Sequence, residues 1–217
     1  MIIVGAKGFA KELLEVFFQN NEVNNLFFFD NISVDLPEKL FDRFPVLRSI
    51  EEVKDIFQRS GDFSFALGVG SPSIRYALTR YFETVGGVLV SVISPQAAIG
   101  HFGNTIGPGC SILGGASITN GVALGKGCLL NPHCSIAHDA ELGDFVEMSP
   151  GSRVTGSAMV GDFSVLGTNS IVLPKVRIGI NVIVGAGAVV TRDVPDNSLV
   201  VGVPAKVKRK LEPLNLQ

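Results

Sequence analysis

The feature that most constrains this chain is a six-residue period in its second half. Counting in sixes from residue 106, fourteen consecutive positions hold a large aliphatic residue or methionine. Four residues after each of them stands a small side chain, none larger than valine. The large positions are Ile106, Ile112, Ile118, Leu124, Leu130, Ile136, Leu142, Met148, Val154, Val160, Leu166, Val172, Ile178 and Val184. A register kept without a break from 106 to 189 indicates a repeat architecture.

A six-residue unit with one large and one small inward side chain makes a short flat strand followed by a corner. Three such units close a triangular turn, so residues 18 apart stack along the axis at about 4.8 Å. The repeat therefore predicts a parallel β-helix of hexapeptide repeats, left-handed as in the families built this way. Ile93 and Ile99 extend the pattern upstream, past a one-residue slip near Thr105.

The first half has a different pattern and predicts a small α/β domain. Twelve of the fifteen phenylalanines precede residue 90. Short apolar runs alternate with segments of helical periodicity, which favours a parallel, Rossmann-like sheet. The predicted strands are Ile2–Gly5, Leu26–Asp30, Phe63–Gly68 and Val88–Ile93; the predicted helices are a segment with an apolar face at Ala10, Leu13, Leu14 and Phe17, then Ile50–Gln58 and Ser73–Glu83. We predict two domains, residues 1–92 and 93–217.

Composition excludes several classes of protein. With 18 basic against 20 acidic residues, the chain has no positive field that would attract nucleic acid. It contains no run of 18 apolar residues, and its first residues lack the basic leader of a signal peptide. Three cysteines would leave one unpaired in a secreted protein, which favours the cytoplasm. Cys110, Cys128 and Cys134 all fall at the small inward position, where we expect them to serve as core residues.

Chemistry in the repeat region is expected at His138. This residue follows the inward Ile136 by two positions, which puts it on an outward corner, and Asp139 follows it directly. A carboxylate there can orient the imidazole and stabilise its charged form. The pair is a candidate general base, although an exposed histidine beside an acid is often merely solvated.

A metal site is the alternative interpretation of the histidines. His133 and His138 have the H-x4-H spacing with which the β-helical, γ-class carbonic anhydrases place two zinc ligands. A third histidine would be needed near residue 97, where the chain has Ala97, and His101 lies at a different corner position. Two of three ligands do not build a catalytic zinc site. We therefore expect no bound metal and keep a zinc lyase as a remote alternative.

The first domain carries a candidate phosphate site. Gly5 and Gly8 allow a tight turn between the first strand and helix, whose N-terminus offers free N–H groups to an anion. Asp30 ends the second strand, where an α/β domain contacts a ribose or base. Gly70 lies in the loop after the third strand, on the same edge of the sheet. At the other end of the chain, the basic cluster that begins at Lys206 could hold coenzyme phosphates.

These residues together resemble a known family. The chain contains G-A-K-G-F-A at 5–10, F-F-D at 28–30, I-A-H-D at 136–139, G-T-N-S-I-V-L-P at 167–174 and V-G-V-P-A-K at 201–206. In this order they are similar to the bacterial sugar acetyltransferases that act on nucleotide-linked amino sugars, typified by the bacillosamine and perosamine enzymes, and to the sialic acid O-acetyltransferases. The resemblance covers nearly the whole chain.

The resemblance implies a homotrimer with acetyl-CoA in the groove between adjacent prisms. It implies that His138 is the general base, that Asp139 supports it, and that the first domain binds the nucleotide of a 4-amino-4,6-dideoxy sugar destined for a surface glycan. The coenzyme residues carried over are Glu147, Gly156, Thr168 and Ala186. The nucleotide-sugar residues carried over are Lys7, Gly8, Phe9, Asp30, Asn31 and Gly70.

Three residues depart from the pattern of this family. Glu147 stands where the bacillosamine enzyme has a histidine, Phe9 where a histidine is common, and Lys7 where a small residue is common. The sequence leaves the acceptor open between an amino sugar and a hydroxyl-bearing sugar such as sialic acid. A non-catalytic prism that serves as a scaffold is a further alternative.

Overall fold

The computed structural model describes residues 1–216, and the first part of the chain forms an α/β domain. Its sheet has the strand order β3-β4-β2-β1-β5-β6, parallel except at the β3–β4 pair. The elements are β1 Ile2–Val4, α1 Gly8–Gln19, β2 Phe27–Phe29, β3 Lys39–Leu40, β4 Phe44–Leu47, α2 Ile50–Ser60, β5 Ser64–Leu67, α3 Pro72–Glu83 and β6 Val88–Leu89. The sheet and its helices enclose two apolar clusters rich in phenylalanine.

The predicted helices and the first three predicted strands are present, and the structure adds two differences. The β3–β4 hairpin was not predicted, because Pro45 interrupts a run with only Phe44, Val46 and Leu47 as apolar residues. The predicted strand Val88–Ile93 is two strands, because the backbone changes partner. The N–H of Val90 bonds to Phe65, within the α/β sheet, whereas that of Val92 bonds to Cys110.

The rest of the chain is a three-sided prism of parallel strands, the predicted left-handed β-helix. Face 1 contains β7 Val92–Ile93, β10 Ser111–Ile112, β13 Leu129–Leu130, β16 Glu147–Met148, β19 Val165–Leu166, β22 Ile183–Val184, β24 Ser198–Val201 and β25 Lys206–Lys210. Face 2 contains β8 Ala98–Ile99, β11 Ser117–Ile118, β14 Ser135–Ile136, β17 Arg153–Val154, β20 Ile171–Val172 and β23 Val189–Val190. Face 3 contains β9 Thr105–Ile106, β12 Ala123–Leu124, β15 Glu141–Leu142, β18 Met159–Val160 and β21 Arg177–Ile178.

From β9 to β23 paired strands are 18 residues apart, as in Ile118 with Ile136 and Ile136 with Val154. The first two strands of the prism pair 19 residues further on, which agrees with the one-residue slip near Thr105. The large and small positions form one continuous core, and all three cysteines are buried in it, as predicted. At the far end the basic segment is β25, a fully exposed strand antiparallel to β24. Charged side chains on such an edge strand protect it from pairing with another chain.

The α/β domain packs on face 1 and on the edge where face 3 meets face 1. Phe145 and Phe163 lie one turn apart on that edge and stack at 5.6 Å between ring centroids. Tyr76 of α3 packs edge-on against both rings. Two of the three late phenylalanines are thus residues of the domain junction. At its exposed rim, Lys126 Nζ pairs with Glu83 Oε1 at 2.7 Å.

Across residues 1–216, none of the helices combines the length and the apolar character needed to cross a bilayer.

Candidate functional site

A cavity of about 280 Å³ opens at the carboxyl edge of the α/β sheet. The β1–α1 loop, the residues after β2 and the β5–α3 loop form its wall. Gly5 makes this possible because its φ is +113° and a Cβ on it would lie 2.7 Å from the carbonyl oxygen of Gly68. The two loops therefore approach more closely than any side chain at position 5 would allow. Of the predicted nucleotide-sugar residues, Lys7, Asp30 and Asn31 line this cavity.

Two helices that begin at this edge lack a side-chain cap. The N-cap residues Lys7 of α1 and Ser71 of α3 make no capping hydrogen bond, whereas Ser49 and Glu52 form a complete capping box on α2. Uncapped helix N-termini leave N–H groups for an anion, and the Lys7 side chain is exposed beside one of them. This arrangement suits a phosphate group.

Asp30 organises the loop that follows β2. Its carboxylate accepts hydrogen bonds from the N–H groups of Ile32 and Ser33 and from the Ser33 hydroxyl. Partial burial raises the pKa of Asp30, but these hydrogen bonds and the charge of Arg48 outweigh it and hold the pKa below its ordinary value. The Arg48 guanidinium donates to the carbonyls of Asp30, Ser33 and Leu36, and sequence reasoning did not identify it.

The remaining residues assigned to the nucleotide sugar lie apart from the cavity wall. Gly8 is exposed at the first position of α1, and Phe9 is partly buried against the core cluster beneath that helix. Gly70 lies two residues beyond Gly68, between the cavity and the prism. The structure thus gives Phe9 a packing role and places Gly70 at the domain junction.

His138 and Asp139 occupy edge 2–3, where face 2 turns into face 3. His138 Nδ1 lies 2.9 Å from Asp139 Oδ2, and the two side chains are 69% and 68% exposed. Asp139 has φ of +59°, a left-handed corner conformation that aspartate tolerates well. When Nδ1–H donates to the carboxylate, Nε2 is left as a proton acceptor facing outward.

Three of the predicted coenzyme residues occupy two edges of the prism. Gly156 lies one turn after His138 on edge 2–3, and a Cβ on it would come within 2.7 Å of His138 Nε2. Thr168 and Ala186 are exposed and stack one turn apart on edge 1–2, where face 1 turns into face 2. The 18-residue period alone accounts for both placements.

Arg75 of α3 is the most buried charged residue of the domain junction, with 2% exposure. It donates hydrogen bonds to four backbone carbonyls, those of Gly70, Gly127, Phe145 and Val146. Burial lowers its pKa to about 10, so the guanidinium remains charged at neutral pH. Backbone carbonyl partners cannot be identified from a sequence. The only sequence feature that indicates burial of Arg75 is its spacing with Thr79 and Phe82 along one face of α3.

Glu147 is the acid beside this guanidinium. Its Oε2 lies 3.8 Å from Arg75 Nη1, and its side chain is 19% exposed. Burial raises the pKa of Glu147, and the charge of Arg75 opposes this. A Cβ on Gly70 would lie 3.9 Å from Glu147 Oε2. Arg75 therefore brings together two residues that were assigned to different ligands, the acceptor and the coenzyme.

One chain does not bring His138 to the cavity at the edge of the α/β sheet. The α/β domain packs on face 1, and edge 2–3 is the edge of the triangle that face 1 does not share. A six-residue side is at most ~20 Å long at ~3.3 Å per residue, so His138 lies across the prism from Glu147. The candidate base and the candidate acceptor cavity of one chain face different directions.

Lys206 begins the exposed strand β25 at the end of the prism and pairs with Val201, whose side chain lies beside Gly185, the residue before Ala186. No group of three or more histidine, cysteine, aspartate or glutamate residues within 1–216 has the arrangement of a metal site. His133 belongs to edge 1–2 and His138 to edge 2–3, so the two histidines occupy different edges of the prism.

A family model and several solved structures that match this chain point to sugar acetyltransferases. Residues 1–82 match the PglD N-terminal domain family. A mutant of perosamine N-acetyltransferase from Caulobacter crescentus, solved with CoA and GDP-perosamine, is 29% identical with a TM-score of 0.88, and 96% of each chain is covered. The acetyltransferase domain of PglB from Neisseria gonorrhoeae, solved with acetyl coenzyme A, is 28% identical with a TM-score of 0.86 over 95% of this chain and 97% of that one.

WeeI from Acinetobacter baumannii is 27% identical with a TM-score of 0.86, over 95% of this chain and 98% of that one. A sequence search of curated proteins gives no match. Near-complete coverage of both chains means that the α/β domain and the prism are shared in the same order. The first 82 residues therefore match a PglD N-terminal domain, and the chain as a whole has the hexapeptide-repeat acyltransferase fold, with the same architecture as these sugar N-acetyltransferases.

Proposed function

We propose that this protein transfers the acetyl group of acetyl-CoA to the amino group of a nucleotide-linked 4-amino-4,6-dideoxy sugar. The observation that carries the proposal is the His138–Asp139 pair, with 2.9 Å between Nδ1 and Oδ2, on an open edge of an acyltransferase prism. The cavity with Lys7 and two uncapped helices supports a nucleotide diphosphate as the other half of the substrate.

The relatives support this class of substrate. The C. crescentus enzyme was solved with CoA and GDP-perosamine, and two of its structures are variants with a single histidine replaced. The N. gonorrhoeae domain was solved with acetyl coenzyme A. By analogy, we assign a general base role to a histidine here, and His138 has both the supporting acid and the exposure that this role requires.

In the proposed reaction, His138 Nε2 removes a proton from the acceptor amine as its nitrogen bonds to the thioester carbon. The carbon–sulfur bond then breaks, and the CoA thiolate leaves with the proton that the imidazole returns. Asp139 stabilises the imidazolium in between. Because the thioester is already activated, positioning and proton removal are the main tasks of the protein.

We propose a homotrimer, because the base and the acceptor cavity of one chain face different directions. Edges 1–2 and 2–3 both border face 2. If face 2 turns toward a three-fold axis, the edge with His138 and Gly156 of one protomer meets the edge with Thr168 and Ala186 of the next. The outward side chains of face 2 include Ser117, Ser135, Ile171 and Val189, which suit packing against a copy. Acetyl-CoA would lie in the groove between the two protomers.

The test is CoA release from acetyl-CoA with GDP-perosamine and with UDP- and dTDP-linked 4-amino-4,6-dideoxy sugars. We expect His138→Asn to reduce kcat by at least ~100-fold. The control is Glu141→Gln, an exposed outward residue of face 3 in the same turn, which should retain activity within about twofold. An undiminished rate in His138→Asn contradicts the assignment. Sialic acid in the same assay tests O-acetylation as the alternative.

A further inference from the structure

Glu147 and Arg75 form an ion pair between the candidate acceptor site and the candidate coenzyme site. The proposed function gives this ion pair no role. The guanidinium fixes the backbone on both sides of the junction, at Gly70 in the acceptor domain and at Phe145 and Val146 in the prism. Because Arg75 is 2% exposed and donates to four carbonyls, its side chain cannot change position when a ligand binds. It therefore holds the β5–α3 loop and the start of β16 in one geometry.

The Glu147 carboxylate is held beside this anchor without a hydrogen-bond donor. Within residues 1–216 its oxygens receive no hydrogen bond, and the 3.8 Å contact with Arg75 is an ion pair. The outward position of residue 147 on β16 directs the side chain to the space between face 1 and the Gly70 loop. Because Gly70 has no side chain, and a Cβ there would meet only Glu147 Oε2 within 4 Å, the space beside the carboxylate is open.

The chemistry of a carboxylate decides which ligand it suits. When ionised, it accepts hydrogen bonds and donates none, so it repels the carbonyl oxygen of a thioester. An ammonium group offers three N–H donors and a positive charge, and charge-assisted hydrogen bonds are about twice as strong as neutral ones. A hydroxyl acceptor offers one neutral donor. A carboxylate at this place therefore favours a cationic amino sugar over its hydroxyl counterpart.

We infer that Glu147 binds the amino group of the acceptor sugar, and that Arg75 is the positioning residue that holds Glu147 and the Gly70 loop together. The inference rests on the proposed function and assigns Glu147 to the acceptor rather than to the coenzyme. The bound ammonium releases one proton to solvent, which leaves two N–H groups. One of them stays on Glu147, and the other faces His138 Nε2 of the neighbouring protomer, which removes that proton during attack on the thioester.

The test compares amino and hydroxyl forms of one sugar. The wild type and Glu147→Gln are assayed with acetyl-CoA and the GDP-, UDP- or dTDP-linked 4-amino-4,6-dideoxyhexose that the wild type uses best. The same nucleotide linked to the 6-deoxyhexose with a C4 hydroxyl is titrated as a competitive inhibitor. We expect Glu147→Gln to raise KM for the amino sugar at least ~10-fold. KM for acetyl-CoA and Ki for the hydroxyl analogue should stay within about twofold.

Two further variants separate positioning from packing. Arg75→Lys keeps the charge but loses the planar fork that reaches four carbonyls, so KM for the amino sugar should rise while KM for acetyl-CoA does not. Glu83→Gln removes the exposed ion pair with Lys126 at the same junction and should leave both constants within about twofold. If Arg75→Lys fails to fold, Glu147→Gln decides the question, because it preserves the shape of the side chain.

Three results would overturn the inference: an unchanged KM for the amino sugar in Glu147→Gln, an increase confined to acetyl-CoA, or equal weakening of the amino and hydroxyl ligands. Failure of the proposed function has a different signature. In that case the wild type itself releases no CoA with any of the three amino sugars.

Discussion

Gly156 lies one turn of the prism after His138, and its missing side chain leaves the space that the imidazole occupies. A Cβ at position 156 would lie 2.7 Å from both Cε1 and Nε2 of His138. The backbone of Gly156 does not have a positive φ, so alanine is compatible with the local conformation. We expect Gly156→Ala to displace the ring and to lower kcat by ~10- to 100-fold, because small displacements of a reacting group are costly.

The measurement for Gly156→Ala is steady-state kinetics together with the thermal midpoint and a crystal structure. The midpoint should change by less than ~2 °C, because the site is on the surface. A fully active variant with its imidazole displaced would show that the position of His138 is irrelevant to the rate.

Asp139 can be tested without disturbing the corner that it forms. Its φ of +59° is one that asparagine adopts readily, so Asp139→Asn preserves the backbone and removes the charge beside Nδ1. We expect kcat to fall ~10- to 100-fold, because the imidazolium loses its stabilising partner, with KM for acetyl-CoA within about twofold. A loss of kcat that is fully explained by a lowered thermal midpoint and a smaller folded fraction would indicate a purely structural role.

The loop after β2 should show a pH-dependent contribution to stability. The folded-state pKa of Asp30 is depressed, so its carboxylate stabilises the fold above its unfolded pKa, and this stabilisation is lost as the pH falls through the folded pKa. Asp30→Asn should lower the thermal midpoint by ~2–4 °C at pH 7, and the difference should shrink below pH ~4. Asp55→Asn, which breaks an exposed ion pair with Arg59, is the control and should change it by less than ~1 °C. A difference that does not begin to shrink as the pH falls below ~4 would contradict the assignment.

Face 2 should be the contact between protomers. Ile171 is the outward residue of β20 on this face, and Met159 holds the same position of β18 on face 3. Ile171→Glu should place a charge in the contact and dissociate the protein to one chain of 23.0 kDa. Met159→Glu should leave it at three times this mass by light scattering. Dissociation by Met159→Glu alone would mean that face 3 forms the contact.

The period of the sequence was enough to predict the prism and the stacking of several candidate site residues. A hexapeptide repeat determines which residues stack, so His138 above Gly156 and Thr168 above Ala186 follow from counting 18 residues. The buried cysteines follow in the same way. Local patterns also predicted the helices of the first domain, because each buries one apolar face.

Other parts of the structure have no local signature. Val88–Ile93 reads as one strand, because the change of partner from Phe65 to Cys110 is a tertiary event. Arg75 and Arg48 act through backbone carbonyls, which every residue has, so their partners cannot be inferred from side-chain types. That His138 and the acceptor cavity face different directions follows from which face the first domain covers, and the repeat alone does not specify this.

The central claim is that His138 of one protomer completes the acceptor site of another, and co-assembly of two inactive variants tests it most directly. His138→Asn lacks the base, and Gly70→Leu fills the space beside Glu147. Random co-assembly in equal amounts should restore about one quarter of wild-type activity, because each site needs an intact residue from each of two adjacent chains. A mixture as inactive as its separate components, in protein shown to have exchanged chains, would contradict the account.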